Sequence, residues 1–168
     1  MILATELKDV GYTDTPAKFQ QGLIVCLIDM FPGRSIDGLT FVPADALRYC
    51  DEIRNRTGVP KFSDAVILKA LMNLRRSSEC PVGLKSAPRR PNLDVSLESL
   101  GYDGTTLAFR ELLIDCLADI YKDQTIDEML CHPHESQQYC HFVRRKSEVS
   151  AMSDDFILSS LMNVRKSN

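Results

Sequence analysis

The chain has 168 residues, of which 44% are hydrophobic and 26% charged, and its formal net charge is −3. This apolar content excludes a largely disordered chain, and the slight acidity excludes a protein whose whole surface is a basic platform for nucleic acid. The apolar run Leu23–Ile28 is far shorter than the roughly 18 residues that a membrane-spanning helix needs, and the first residues do not resemble a secretory signal. We therefore predict a cytoplasmic protein with no membrane partner, whose six cysteines are reduced thiols.

The first predicted elements are two helices with a glycine between them. Residues 5–10 form a short helix, which ends where Gly11 adopts the left-handed conformation. Thr15 then caps a longer helix that begins at Pro16, a residue favoured at the first helical position. Apolar residues recur in this helix at intervals of three and four and give it one core-facing side: Phe19, Leu23, Cys26, Leu27 and Met30.

Three more helices are predicted before residue 78. Ser35 begins a single helical turn, and Pro43 opens a helix that ends near Gly58. Ser63 caps the last helix, and the apolar residues of this helix cover most of its circumference. A helix of this kind is buried on several sides, so we expect it to lie centrally and to contact the sister domain or another subunit.

Residues 78–93 are predicted to be a loop or linker, because they contain Pro81, Gly83, Pro88 and Pro91 and show no apolar periodicity. Beyond the linker the pattern starts again. Residues 94–167 align without a gap on residues 4–77, and 26 of the 74 pairs are identical. We therefore predict a first helical repeat (1–77), a proline-containing basic linker (78–93) and a second helical repeat (94–168).

The predicted fold is all-α, because no segment shows the alternation of a strand. A repeat of this length is too long to be one unit of a solenoid, so each copy should be a small domain. We expect an internally duplicated helical bundle of two similar subdomains, each with three main helices and additional short ones. A pseudo-two-fold axis or a tandem arrangement would relate the two copies.

A cluster of nitrogen and sulfur donors lies in the second repeat. All three histidines of the chain fall here, close to two cysteines, and the candidate metal ligands are His132, His134, Cys140 and His141. Zinc accepts such donors, but the spacing matches no standard zinc finger. The alternative is structural: Cys140 corresponds to Cys50, whose half contains no histidine, and His132 precedes Pro133 as an improvised helix cap.

Charge is unevenly distributed along the chain. Residues 1–77 carry 10 basic and 9 acidic side chains, residues 78–93 carry 3 and 1, and residues 94–168 carry 7 and 13. Basic clusters bind phosphates, although basic residues at the end of a helix also complement its dipole. The candidate nucleic-acid or phosphate contacts lie at the end of the first repeat and in the linker: Arg75, Arg76, Lys85, Arg89 and Arg90.

Several polar residues recur at equivalent positions of the two repeats. Paired carboxylates such as Asp37 and Asp127 can serve acid–base catalysis, but they also suit helix N-termini, as Arg75 and Arg165 suit helix C-termini. We favour structural pairing for these residues. Tyr49 and Tyr139, together with Asn73 and Asn163, are expected to satisfy backbone groups where helices cross.

The leading functional hypothesis is a non-enzymatic interaction or regulatory module, because no recognisable catalytic constellation is present and helices supply grooves and faces. A protein partner or self-association follows from this hypothesis. Exposed residues that differ between the repeats should then determine specificity. Nucleic-acid or phosphate binding through the basic stretch is the first alternative, and a metal-dependent activity, with zinc as the cofactor, is the second.

Overall fold

The computed structural model describes residues 2–78, 80–85 and 92–167. The regular secondary structure of these residues is entirely helical, which confirms the predicted all-α class. Within the same ranges, no helix has both the length and the apolar character needed to cross a bilayer. The chain divides into two compact units, unit 1 (Met1–Pro88) and unit 2 (Arg89–Asn168).

The described residues of unit 1 form three long helices and three short ones. They are α1 (Ile2–Asp9), α2 (Pro16–Met30), α3 (Ile36–Thr40), α4 (Pro43–Thr57), α5 (Asp64–Leu74) and α6 (Val82–Lys85). Helix α2 packs against both α4 and α5, while α3 packs against α4, α5 and α6. The core includes a stacked pair of rings, Phe19 and Phe62, whose centroids lie 5.1 Å apart, and Tyr12 meets Phe19 edge-on.

Unit 2 contains α7 (Leu93–Ser99), α8 (Thr106–Ile120), α9 (Ile126–Leu130), α10 (Pro133–Ser147) and α11 (Asp154–Ser167). Helix α10 packs against α8, α9 and α11, and α7 packs against α8. The bounds of α8, α9 and α10 lie 90 residues beyond those of α2, α3 and α4. One core contact also recurs, because Tyr102 meets Phe109 edge-on, with ring centroids 5.3 Å apart, as Tyr12 meets Phe19 in unit 1.

Several predicted helix boundaries are confirmed by their capping geometry, although α1 begins at Ile2 and not at Thr5. The side chains of Thr15 and Ser63 accept hydrogen bonds from the backbone N–H groups of Lys18 and Val66, at 3.2 and 3.1 Å. Gly11 has a φ of +89°, which satisfies the left-handed stop after α1. These local rules therefore fix where the helices begin and end.

Two predictions about local structure are wrong. The stretch predicted as a loop contains α6, because Leu84 is buried where this short helix packs on α3, and a four-residue helix is too short to show apolar periodicity. His132 occupies the N-cap position of α10, but its side chain makes no capping hydrogen bond. Asn73 and Asn163, which were expected to satisfy backbone groups where helices cross, have exposed side chains.

Candidate functional site

The tyrosines and arginines that recur in both units hold helices together. Tyr49 donates a hydrogen bond to the carbonyl of Leu23 at 2.7 Å, and Tyr139 donates to the carbonyl of Leu113 at 2.8 Å. Each bond ties one long helix of its unit to another. Arg54 likewise pairs with Asp64, and Arg144 pairs with Asp154. These polar groups are used within the fold, as the structural interpretation predicted for such residues.

The arginine at the end of α5 is also committed to the fold. Arg75 forms an ion pair with Asp37, and in unit 2 Arg165 donates to Asp127 at 2.8 Å. Arg75, predicted as a phosphate contact, is thus already engaged in an ion pair within unit 1. Of the other members of the predicted basic cluster, Arg76 is exposed and Lys85 is partly buried. Arg89 and Arg90 lie outside the described residues.

The predicted metal ligands of unit 2 do not converge. Among the residues that the structure describes, no group of three or more His, Cys, Asp and Glu side chains is arranged to hold a metal ion. His134 and His141 are exposed and His132 is partly exposed, whereas Cys140 is buried. Burial raises the pKa of the Cys140 thiol far above its ordinary value, which opposes the thiolate form that zinc binds.

The remaining cysteines lack the environment of a catalytic nucleophile. All six cysteines are buried and none of them forms a disulfide bond. Burial raises the pKa of both Cys26 and Cys116 to about 11, so these side chains remain protonated at neutral pH. A protonated, buried thiol is a poor nucleophile, and we read these residues as core packing.

Unit 1 has a groove between α2 and α4, called the α2 groove below. Its volume is about 470 Å³, within the usual range for ligand sites. The groove combines apolar, polar and charged side chains: Tyr12, Asp14, Lys18, Phe19, Gln21, Gly22, Val25, Ile53, Arg56 and Thr57. Val25 is 46% exposed, and the nearby Ile28 on the same helix is 47% exposed. The groove therefore offers water-exposed aliphatic surface beside charged groups.

Gly22 keeps the middle of the α2 groove open. It lies inside α2, and a Cβ atom added there would meet no atom within 4 Å. The equivalent position in unit 2 is Leu112, on α8. A glycine in a helix interior costs about 1 kcal/mol relative to alanine, and no neighbour of Gly22 requires the absence of a side chain.

Ion pairs organise the charged rim of the α2 groove. Lys18 lies 3.3 Å from Asp14, and both of these side chains are mostly exposed. Arg56 donates to Glu52 and to Asp29, each at 2.9 Å. The hydrogen bonds to Glu52 and Asp29 raise the pKa of Arg56 above its ordinary value, so this cation is permanent. Burial and the charge of Asp14 raise the pKa of Tyr12, which keeps its hydroxyl a proton donor at neutral pH.

The α2 groove was not identified from the sequence, although a signal for it was present. Most of its lining positions change between the repeats: Gly22 becomes Leu112, Lys18 becomes Ala108 and Val25 becomes Asp115. The corresponding surface of unit 2 therefore has a different lining, which mismatched exposed positions would need if they determine specificity. No protein-family model, curated protein or solved structure matches this chain.

Proposed function

We propose that this chain is a non-enzymatic interaction module built from a duplicated helical domain, and that the α2 groove of unit 1 binds a segment of a partner protein. The duplication is supported by the 26 identities among 74 aligned pairs and by helix bounds that recur 90 residues apart. Non-enzymatic binding is supported by the structural use of the recurring polar residues and by the buried, protonated thiols.

The observation that carries the proposal is the open helical glycine at position 22. Gly22 weakens α2, and its replacement would clash with nothing, so packing within unit 1 does not explain it. Leu112 at the equivalent position of unit 2 indicates that the helix itself tolerates a large side chain there. An open surface for a partner accounts for the glycine.

The lining of the α2 groove defines the chemistry of the partner. Val25 and the partly exposed wall around Tyr12 suit an aliphatic or aromatic anchor residue. Lys18 is held only by an exposed ion pair with Asp14, a contact worth no more than about 1 kcal/mol, so it is free to exchange this carboxylate for one on a partner. We therefore expect a short helical or extended segment with an apolar anchor next to Asp or Glu.

Selection from a displayed peptide library on the immobilised full-length chain tests this proposal. We expect enriched peptides that share an apolar anchor next to an acidic residue. A synthetic peptide of that consensus should bind the wild-type chain and lose at least about tenfold in affinity toward Gly22→Leu, because the leucine fills the groove. Lys18→Ala should weaken the same peptide by a smaller factor and reduce the salt dependence of binding.

The matched control is Ala118→Leu, which places the same side chain on an exposed position of α8 in unit 2. This variant should bind the peptide as the wild type does. Gly22→Leu should remain folded by circular dichroism, since it replaces a helix-weakening residue with a strong helix former. The proposal would be refuted if the enriched peptides bound Gly22→Leu and the wild type equally, or if the selection enriched no peptide. It would also be refuted if nucleic acid were the only ligand that the chain retained at low salt.

A further inference from the structure

Unit 2 contains a second concave feature, called the α7 hollow below, between α7, α8 and α11. Its volume is about 250 Å³, so it has room for one small molecule and not for a peptide segment. Leu93 and Phe156 supply its apolar wall, and the other lining side chains are polar: Ser96, Arg110, Ser159, Ser160 and Asn163. The α7 hollow is independent of the α2 groove, since all of its lining residues belong to unit 2.

Two polar groups in the α7 hollow have no partner in the part of the chain that the structure describes. Arg110 forms no ion pair or hydrogen bond through its guanidinium with any described residue. The hydroxyl of Ser160 likewise makes no hydrogen bond with a described residue, and its oxygen still reaches solvent although the residue as a whole is only 6% exposed. Both groups line the α7 hollow, where Arg110 is exposed, and they can therefore bind a ligand that enters it.

The hydrogen-bond donors and charges of the α7 hollow differ from those at the equivalent positions of unit 1. Unit 1 has Gln20 where unit 2 has Arg110, and Ala70 where it has Ser160. The acidic Glu6 of unit 1 is likewise replaced by Ser96. These three differences add hydrogen-bond donors or remove a negative charge, whereas a fourth, Ser159 in place of Lys69, removes a positive charge. This local change opposes the general trend of the second half, which carries 13 acidic side chains against 7 basic ones.

We propose that the α7 hollow binds a small organic monocarboxylate, with the carboxylate held by Arg110 and Ser160 and the apolar body against Phe156. The planar guanidinium of Arg110 matches a carboxylate with two parallel hydrogen bonds. Phe156 is partly exposed and stacks on Phe109, so it offers a ring that is already fixed in place. A dianionic phosphate is disfavoured because the acidic residues Asp94, Glu111 and Asp155 are chain neighbours of the lining residues.

Titration of the full-length chain with acetate, benzoate and 4-methylpentanoate, followed by amide NMR shifts, tests the proposal. We expect saturable shifts in α7 and at Ser159 and Ser160, and tighter binding of benzoate and 4-methylpentanoate than of acetate, because only these two contact Phe156. Benzyl alcohol and phenyl phosphate are the comparison ligands. Both should bind at least about tenfold more weakly than benzoate. Benzyl alcohol lacks the negative charge that pairs with Arg110, and phenyl phosphate carries a larger negative charge than benzoate.

The test variants take their residues from unit 1 and therefore suit the helices. Arg110→Gln should weaken benzoate binding by about tenfold or more, and Ser160→Ala by about threefold. Arg145→Gln, on an exposed position of α10 where the guanidinium lies over Phe142, is the control and should bind like the wild type. The proposal would be overturned if Arg110→Gln left saturable benzoate binding unchanged, or if phenyl phosphate bound more tightly than benzoate. The absence of saturable binding by all three carboxylates at millimolar concentration would also overturn it.

Discussion

The guanidinium of Arg75, which directly follows α5, donates a hydrogen bond to the carboxylate of Asp37 in the first turn of α3. Asp37 is only 5% exposed, so this ion pair is largely withdrawn from water. The equivalent pair in unit 2, Arg165 with Asp127, has the same hydrogen-bonded arrangement but much more exposed side chains. The same Arg–Asp ion pair is thus mostly buried in unit 1 and partly exposed to water in unit 2.

This difference predicts unequal costs for two equivalent substitutions. Arg75→Ala should lower the free energy of unfolding by about 3 kcal/mol, because it leaves a buried carboxylate without its partner. Arg165→Ala should cost about 1 kcal/mol or less, since an exposed pair contributes little. Urea denaturation followed by circular dichroism measures both values. The double variants Asp37→Ala/Arg75→Ala and Asp127→Ala/Arg165→Ala complete two mutant cycles, and a coupling energy that is equal in the two units would contradict this account.

The buried tyrosines make the opposite prediction, namely equal effects in the two units. Tyr49→Phe and Tyr139→Phe each remove one hydrogen bond to a helix carbonyl, with donor–acceptor distances of 2.7 and 2.8 Å. Each variant should lose about 1–2 kcal/mol of unfolding free energy, because the phenol is buried in both cases. The double variant should show the sum of the single losses, since the two sites share no partner. Losses that differ more than twofold between the single variants would show that the two contacts are not equivalent.

Much of the helical architecture could be predicted because its signals are local. Thr15, Pro16, Gly58 and Ser63 mark helix ends through their own backbone preferences, and such preferences can be read one residue at a time. The repeat then allowed each boundary to be checked against its counterpart 90 positions later. Local chemistry and the repeat therefore gave the same helices.

The candidate sites could not be predicted because they depend on which groups lie opposite one another. Arg75 looked like a phosphate ligand, since nothing in the sequence places it beside Asp37, 38 residues earlier. Gly22 gives no sign in the sequence that the space above it is empty. The cluster of histidines was misleading for the same reason, because closeness along the chain does not bring His134, Cys140 and His141 to one point on a helix.

A non-glycine residue in the left-handed conformation gives a stabilising prediction. Glu148 directly follows α10 and has a φ of +60°. The equivalent residue after α4 is Gly58, with a φ of +69°. Side chains with a Cβ pay roughly 1 kcal/mol for this conformation, and glycine does not. Glu148→Gly should therefore raise the unfolding free energy by about 0.5–1 kcal/mol, while Gly58→Ala should lower it by a similar amount. Thermal unfolding of both variants is the measurement, and a destabilised Glu148→Gly would indicate that the side chain of Glu148 makes a compensating contact.

Alkaline pH should destabilise the protein through its buried thiols. Burial raises the pKa of Cys26 and of Cys116 from 9.0 to about 11 in the folded chain, whereas in the unfolded chain both thiols titrate near 9.0. Between pH 9 and 11 the unfolded state therefore binds fewer protons than the folded state, and the unfolding free energy falls as the pH rises. This contribution is fully present below pH 9 and is lost as the pH passes 11. Urea denaturation across this pH range measures the decline in unfolding free energy, and the double variant Cys26→Ala/Cys116→Ala should show a shallower decline.

A thiol reagent at pH 8 provides an independent check, because all six cysteines should react in denaturant but only slowly in the folded chain. Rapid native reaction of Cys26 or Cys116, or a decline that the double variant reproduces in full, would exclude burial of these thiols as its cause.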